Sequence, residues 1–208
     1  MTVPLYGLVL AGGESRRMGR DKAGLFYAGR PQLERAFGLL APRVAPCFVS
    51  LRADQADDPV RRGWPGIVDR LEGIGPAAGL LAAHEAYPEV AWLVLACDLP
   101  LLDGASLDAL IQARGEGRVA VAFRSEHDGA PEPLCAVWEP VALDRLRCRV
   151  AEGGGSLRRV LGGAGVCLLA PRTSGALDNV NTPAERERAE VLLAGMRNAE
   201  GQEQRCHR

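Results

Sequence analysis

Strand-like apolar runs alternate with helix-patterned stretches along most of this chain, and this alternation limits its fold more than any other feature. The apolar runs cover residues 5–10, 47–51, 91–97, 119–123, 134–138 and 165–169. Amphipathic stretches at 32–40, 77–87 and 105–113 separate them, and a last helix is predicted from 183 to about 196. Strands that alternate with helices form a largely parallel sheet with helices on both faces. We therefore predict an α/β fold, a three-layer α/β/α sandwich with a mostly parallel sheet.

The size and composition of the chain fit one such domain. It has 208 residues, of which 47% are apolar and 25% charged, so it can bury a sizeable core. No linker or shift in composition divides it. We predict one domain over 1–196 and a flexible polar tail over 197–208. The net charge of -1 supplies no basic field, so we expect no nucleic-acid partner.

Cysteine usage and apolar run length bear on the cellular location. The six cysteines form no C-x-x-C pair, and three of them lie in apolar runs, which favours buried, reduced thiols. No stretch approaches 18 uninterrupted apolar residues, and no basic region precedes the first run. We expect a cytoplasmic protein with no membrane partner.

The segment LAGGESRRMGRDK, residues 10–22, follows the first predicted strand directly. Open α/β sheets bind ligands at the carboxyl ends of their strands. Adjacent glycines let main-chain N–H groups approach a ligand, and three arginines and a lysine can neutralise phosphate charge. A nucleoside triphosphate suits this arrangement, although the segment has neither the P-loop nor the G-x-G-x-x-G spacing. A solvated turn is the alternative.

This segment resembles the L-A-G-G-x-S-x-R-M-G-x-D-K signature of the molybdenum cofactor guanylyltransferases, the MobA family of nucleotidyltransferases, at every fixed position. Three further segments resemble the family in the same order: IVDRLEGIGPAAGLLAA, LVLACDLPLL and DNVNTPAE; PEPLCAVW is a weaker match. The resemblance implies a Rossmann-like fold and transfer of GMP from GTP to the phosphate of molybdopterin. It also implies a Mg²⁺ cofactor and handover of the product to molybdoenzymes or their chaperones.

Site residues follow from the resemblance together with the positions of these segments. Arg17, Lys22 and Asp98 are expected to be catalytic, and Asp98 is also expected to bind the metal. The nucleotide is expected to contact a larger set, which comprises Leu10, Ala11, Gly12, Gly13, Lys22, Asp69 and Asp98. The acceptor is expected to contact Gly75, Gly79, Asn179 and Asn181.

Taken residue by residue, plainer roles stay open. Asp98 can cap a helix, the glycines after Asp69 can form an ordinary loop and helix start, and asparagines favour turns. Thr182 and Glu185 are assigned to a capping box alone. Arg16 and Arg20 occupy variable signature positions, where a solvated role fits as well. No histidine is assigned a catalytic role.

Two rival functions also remain. One is a cytidylyltransferase for the same pterin, or another small-molecule nucleotidyltransferase. The related cytidylyltransferases typically have alanine at the position of Gly12, which points to GTP here. The other rival is a relative that binds nucleotide or cofactor without turnover.

Overall fold

The computed structural model describes residues 3–13 and 21–206, with side chains described up to residue 195. Over these residues the chain forms nine strands and six α-helices, numbered here in chain order. The strands are β1 Leu5–Leu10, β2 Phe26–Tyr27, β3 Arg30–Pro31, β4 Cys47–Arg52, β5 Gly66–Asp69, β6 Ala91–Ala96, β7 Ala120–Arg124, β8 Pro131–Trp138 and β9 Val166–Leu169. The helices are α1 Gln32–Leu40, α2 Pro76–Ala86, α3 Gly104–Gln112, α4 Pro140–Ala151, α5 Leu157–Leu161 and α6 Pro183–Cys206.

Seven strands form the main sheet, in the order β5-β4-β1-β6-β8-β7-β9. Only β8 runs against the others: it pairs antiparallel with β6 and β7, whereas every other pair in this sheet is parallel. The predicted mostly parallel sheet is confirmed. Its carboxyl edge collects the ends of β1, β4, β5 and β6, where the predicted nucleotide residues lie.

Helices cover both faces of this sheet, because each central strand alternates its side chains between two buried cores. One core joins Val9 and Leu95 to Leu33 of α1 and Leu107 of α3. The other joins strand residues such as Val94 to helices α2, α4 and α5. The predicted three-layer sandwich is therefore also confirmed.

Helix α6 packs away from these layers, against the short β2–β3 hairpin. Ala189 and Leu193 are buried with Leu25, Tyr27 and Leu101 in a separate small cluster. This packing holds the segment before α6 at the carboxyl edge of the sheet.

Several boundaries differ from prediction. Helix α6 continues to Cys206, so its predicted end near residue 196 is wrong, whereas the flexibility of 197–208 stays a prediction. Helices α4 and α5 and the hairpin were not predicted. Within 3–13 and 21–206, no helix is long and apolar enough to cross a membrane.

Candidate active site

Lys22 lies at the centre of the carboxyl edge. Asp21 starts a single helical turn over Lys22–Gly24 by accepting a hydrogen bond from Ala23 N at 3.1 Å. From this turn the Lys22 Nζ atom donates to Asp98 Oδ2 at 3.2 Å and to Asn181 Oδ1 at 2.5 Å. The fold thus brings three predicted residues together, although Asp98 and Asn181 lie 76 and 159 positions after Lys22 in the sequence.

Asp98 follows β6 directly and is tied to the segment before α6. Its main-chain carbonyl accepts a hydrogen bond from Val180 N at 3.0 Å. This bond sets Asn181, the next residue, beside the Asp98 side chain. The tertiary contact explains why the last predicted motif reaches a site built mainly from the first hundred residues.

The carboxylate of Asp98 has one oxygen available for a cation. Its Oδ1 atom is buried and has no hydrogen-bond partner among the described residues. Leaving a buried carboxylate oxygen unsatisfied is unfavourable, and a bound metal ion would remove that cost. Among residues 3–13 and 21–195, no three His, Cys, Asp or Glu side chains cluster as a metal site. This donor set fits Mg²⁺, which takes one or two carboxylates and completes its shell with phosphate oxygens and water.

Asp69, at the end of β5, lies beside Gly12. Its Oδ1 accepts from Ser50 Oγ at 2.8 Å, while Oδ2 would lie 3.2 Å from a Cβ atom at Gly12. Burial raises the pKa of Asp69, although the Ser50 hydrogen bond and the charge of Arg52 act to lower it. The contact between Asp69 and Gly12 joins two residues that were predicted to bind the nucleotide.

The two glycines of the opening segment have different surroundings. Gly12 packs closely against two side chains. A Cβ atom at this position would lie close to Asp69 and 3.5 Å from Arg52 Cγ. Gly13 has no heavy atom within 4 Å of such a Cβ. Before them, Leu10 O accepts from Cys97 N and Ala11 N donates to Ser50 O, which extends the pairing of β1 to the site.

Gly75 and Gly79, predicted to contact the acceptor, have clear local roles. Gly75 precedes α2 with φ of 58°, a left-handed conformation that favours glycine, and its surroundings are open. Gly79 lets α2 approach the sheet, since a Cβ there would lie 2.9 Å from Leu10 Cδ2 and would collide with Ser50 Oγ. Their contact with the acceptor stays a prediction.

The capping box at the start of α6 does more than cap. Glu185 Oε2 accepts from Thr182 N at 2.9 Å, and Thr182 Oγ1 accepts from Glu185 N, as predicted. The same Glu185 oxygen accepts from Asn181 N at 2.7 Å, so Glu185 also holds the residue that contacts Lys22. These main-chain hydrogen bonds, chiefly that from Asn181, lower the pKa of Glu185.

A groove of about 400 Å³ continues from this segment. Its walls come from the β7–β8 turn, from α5 and from the start of α6, and they comprise Ser125, Glu126, His127, Asp128, Glu132, Arg158, Leu177, Asp178, Asn179, Glu185 and Arg188. His127 Nε2 lies 2.8 Å from Asp178 Oδ1 in this wall. The groove brings Asn179 to a concave surface that adjoins Val180 and Asn181 in the chain.

Residues 7–167 match the family described as the MobA-like NTP transferase domain. The chain belongs to this family. It is therefore a nucleotidyltransferase. The names of similar proteins refer to molybdenum cofactor biosynthesis or to molybdenum cofactor guanylyltransferase. It is 34% identical over 189 residues to a probable molybdenum cofactor guanylyltransferase of Mycobacterium marinum, covering 88% of this chain and 92% of that protein.

A second relative is longer. The chain is 36% identical over 182 residues to the molybdenum cofactor biosynthesis bifunctional protein of Synechocystis. The match covers 88% of this chain and 52% of that protein, so the chain spans about half of that relative.

Solved structures share the fold. The molybdopterin-guanine dinucleotide biosynthesis protein A of Archaeoglobus fulgidus superposes with a TM-score of 0.76 at 24% identity, over 91% of this chain and 99% of that one. A Methanothermobacter nucleotidyl transferase gives 0.75 at 17% identity, over 93% and 99%. These likenesses show the fold alone.

Two arginines of the site were missed by sequence reasoning. Arg52 Nη1 donates to Gly12 O at 2.8 Å, and its Nε and Nη2 bind Asp54. Its position directly after β4, at the carboxyl edge, was the signal that could have found it. Arg61 is buried and binds Ala11 and Asp21, and no motif or periodicity singled it out.

Arg17, one of the three predicted catalytic residues, lies outside the described residues, as do Arg16 and Arg20. The role of Arg17 stays a prediction.

The histidines with described side chains lie apart from Lys22 and Asp98. His84 of α2 is buried and contacts Asp144 of α4, and His127 lies in the groove wall.

Proposed function

We propose that this chain transfers the GMP moiety of GTP to the terminal phosphate of molybdopterin and releases pyrophosphate. The observation that carries the proposal is the cluster of Lys22, Asp98 and Asn181 at the carboxyl edge, in a family of NTP transferases. The names of its relatives support guanylyl transfer in particular.

In this reaction an oxygen of the molybdopterin phosphate attacks the α-phosphorus of GTP. A phosphorus–oxygen bond forms, the bond from the α-phosphorus to the bridging oxygen breaks, and the electron pair leaves on pyrophosphate. The attacking phosphate is already ionised near neutral pH, so no general base is needed. This agrees with the absence of a histidine beside Lys22 and Asp98 among the described side chains.

The residues of the site would bind and orient the triphosphate. Asp98 would hold a Mg²⁺ ion through its Oδ1 atom, and such an ion would neutralise phosphate charge. Lys22 supplies a fixed positive charge for the leaving pyrophosphate, which is an electrostatic task. Asn181 orients the lysine through its 2.5 Å hydrogen bond.

The groove is the candidate acceptor site. It adjoins the segment that contacts Asp98, and it contains Asn179, which was assigned to the acceptor from the sequence. An acceptor lying in the groove could reach the nucleotide with its phosphate end. Gly75 and Gly79, which shape the start of α2, remain predicted contacts of the acceptor.

The decisive experiment measures pyrophosphate release with each of the four nucleoside triphosphates, with Mg²⁺ and molybdopterin present. We expect release with GTP, and a product whose mass equals molybdopterin plus GMP. Equal use of CTP would contradict the guanylyl assignment. Tight GTP binding without release under these conditions would favour a carrier instead.

We also propose that the product passes in the cytoplasm to molybdoenzymes or their chaperones. The support is indirect, since it comes from the type of product that the relatives' names describe. Retention of labelled product on the protein until an apo-molybdoenzyme is added would test the handover. Release of free product at the same rate without the acceptor protein would count against it.

A further inference from the structure

Arg61 is a fully buried arginine that the proposed chemistry does not use. Its side chain is 1% exposed. The Nη1 and Nη2 atoms donate to Asp21 Oδ2 and Oδ1 at 2.5 and 2.9 Å. The Nε and Nη2 atoms donate to Ala11 O at 3.1 and 2.6 Å. One guanidinium group therefore binds the Asp21 carboxylate and a main-chain carbonyl at the same time, and its Nη1 atom also lies 3.4 Å from Asp58 Oδ2.

The two partners of Arg61 are the two ends of one functional segment. Ala11 follows β1 and is the last residue before the glycine pair. Asp21 immediately precedes Lys22 and caps the turn that carries it. Between these two partners lie residues 12–20, which include both glycines and all three arginines of the signature.

A turn directly before Arg61 positions this residue beside the Lys22–Gly24 turn. Asp58 O accepts from Arg61 N at 3.0 Å, and Asp58 Oδ1 accepts from Val60 N at 2.7 Å, which forms a turn. Val60 lies close to Gly24, since a Cβ on that glycine would approach Val60 Cγ2 to 3.3 Å. The turn therefore rests directly against the Lys22–Gly24 turn.

We propose that Arg61 is a positioning residue for the triphosphate, because it binds both Ala11 at the end of β1 and Asp21, which caps the turn that carries Lys22. The inference rests on the proposed function in taking a nucleoside triphosphate as the ligand. Preorganised donors bind phosphate better than donors that must be ordered on binding, because the ordering entropy has been lost already. Burial acts to raise the pKa of Asp21, but the hydrogen bonds and charge of Arg61 lower it, so this carboxylate stays ionised.

A purely structural ion pair is the competing explanation, and the chain offers a matched control for it. Arg114 is partly buried, with its side chain 11% exposed, and binds a carboxylate with two nitrogen atoms, with Glu139 oxygens at 2.7 and 3.1 Å. It also donates to a main-chain carbonyl next to β1, Val3 O at 3.1 Å. Val3 precedes β1, whereas Ala11 follows it, so the two arginines hold opposite ends of the same strand.

The test compares Arg61→Lys, Asp21→Asn and Arg114→Lys in the full chain. Lysine keeps the charge but cannot bind a carboxylate and a carbonyl with a planar fork. Asparagine at 21 keeps an oxygen for Ala23 N and removes the charge. Titration calorimetry with GTP and Mg²⁺, without acceptor, gives the affinity, and thermal unfolding of each variant gives the loss of stability.

We expect Arg61→Lys and Asp21→Asn each to weaken GTP binding by about 10-fold or more, since misplaced phosphate donors are costly. In turnover, the KM for GTP should rise and kcat should fall, while the KM for the acceptor stays the same. Arg114→Lys should lose comparable stability yet keep GTP affinity within about twofold, because it is remote from the site.

GTP affinity within about twofold of wild type in both site variants would overturn the inference. So would an equal loss of affinity in Arg114→Lys. Should Arg61→Lys not fold, Asp21→Asn decides alone, since its side chain is 34% exposed. If the wild type binds GTP but makes no pterin product, the proposed function is contradicted. The GTP affinities of the variants would then still decide this inference. A wild type that binds no nucleoside triphosphate would overturn both.

Discussion

The ammonium group of Lys22 and the carboxylate of Asp98 meet at 3.2 Å, although 76 positions separate them in sequence. Their side chains are 20% and 24% exposed, so this ion pair is only partly screened by water. The pair occupies Oδ2 of Asp98 and leaves the buried Oδ1 for a cation. The positive and the negative group that we propose for the nucleotide and its metal ion are thus held side by side.

Replacing Asp98 by Asn should lower turnover by at least about 10²-fold, or about 2.7 kcal/mol of barrier. The change keeps the shape of the side chain and removes the anionic oxygen that we propose binds Mg²⁺. Steady-state pyrophosphate release measures the effect. Asp108→Asn is the control, since it weakens a partly buried pair with Arg43 away from the site and should retain activity. Full activity of Asp98→Asn at ordinary Mg²⁺ would remove Asp98 from the mechanism.

Replacing Gly12 by Ala should lower kcat/KM for GTP by about 10-fold, or about 1.4 kcal/mol. The new methyl group would lie 3.2 Å from Asp69 Oδ2, so it would displace the carboxylate or the main chain beside the nucleotide. Competition between GTP and CTP, with molybdopterin as acceptor, measures both rate and base choice. The control is Gly38→Ala on the exposed side of α1, where a Cβ has no atom within 4 Å. An unchanged Gly12→Ala enzyme would show that this close contact has no part in nucleotide selection.

The ion pair of Asp21 and Arg61 should make stability depend on pH in the acid range. The pKa of Asp21 in the folded chain is below its ordinary value of 3.8. Its contribution is therefore fully present above that value and disappears as the pH falls through the lowered pKa. Urea unfolding should show wild type more stable than Asp21→Asn near neutral pH, with the difference shrinking toward about pH 3. A difference that stays constant over this range would contradict the ionic origin of the stabilisation.

Deleting residues 197–208 should change the melting temperature and GTP use very little. Among the described side chains of α6, the buried ones are Ala189 and Leu193, both before the cut. The removed segment continues the helix to Cys206, but its sequence is mostly polar, and polar helix ends add little stability. Differential scanning calorimetry of the truncated chain tests this. A drop of many degrees would mean that the end of α6 docks on the domain.

Local pattern was enough to predict most elements of this fold, whereas the candidate site was predicted mainly from the family resemblance. Apolar runs and amphipathic periods are visible in sequence because each strand or helix must bury one face or stripe. Lys22, Asp98 and Asn181 were assigned because each lies in a segment that resembles the MobA family, and the fold brings their side chains together. The direction of β8 was not predictable in this way, since a buried strand shows the same apolar run in either orientation.

By itself, the sequence determined the layered α/β architecture and predicted a candidate site at the carboxyl edge of the sheet, because these depend on local burial and chain geometry. The signature residues were assigned from the family resemblance. Only the tertiary structure decided that Arg61 holds both ends of the signature segment, that Glu185 holds Asn181, and that Gly79 makes room for Ser50. Each of these joins groups through a hydrogen bond or close contact whose partners are set by packing. Such contacts act over a few ångströms, and residues come within that range only once the sheet and its helices have assembled.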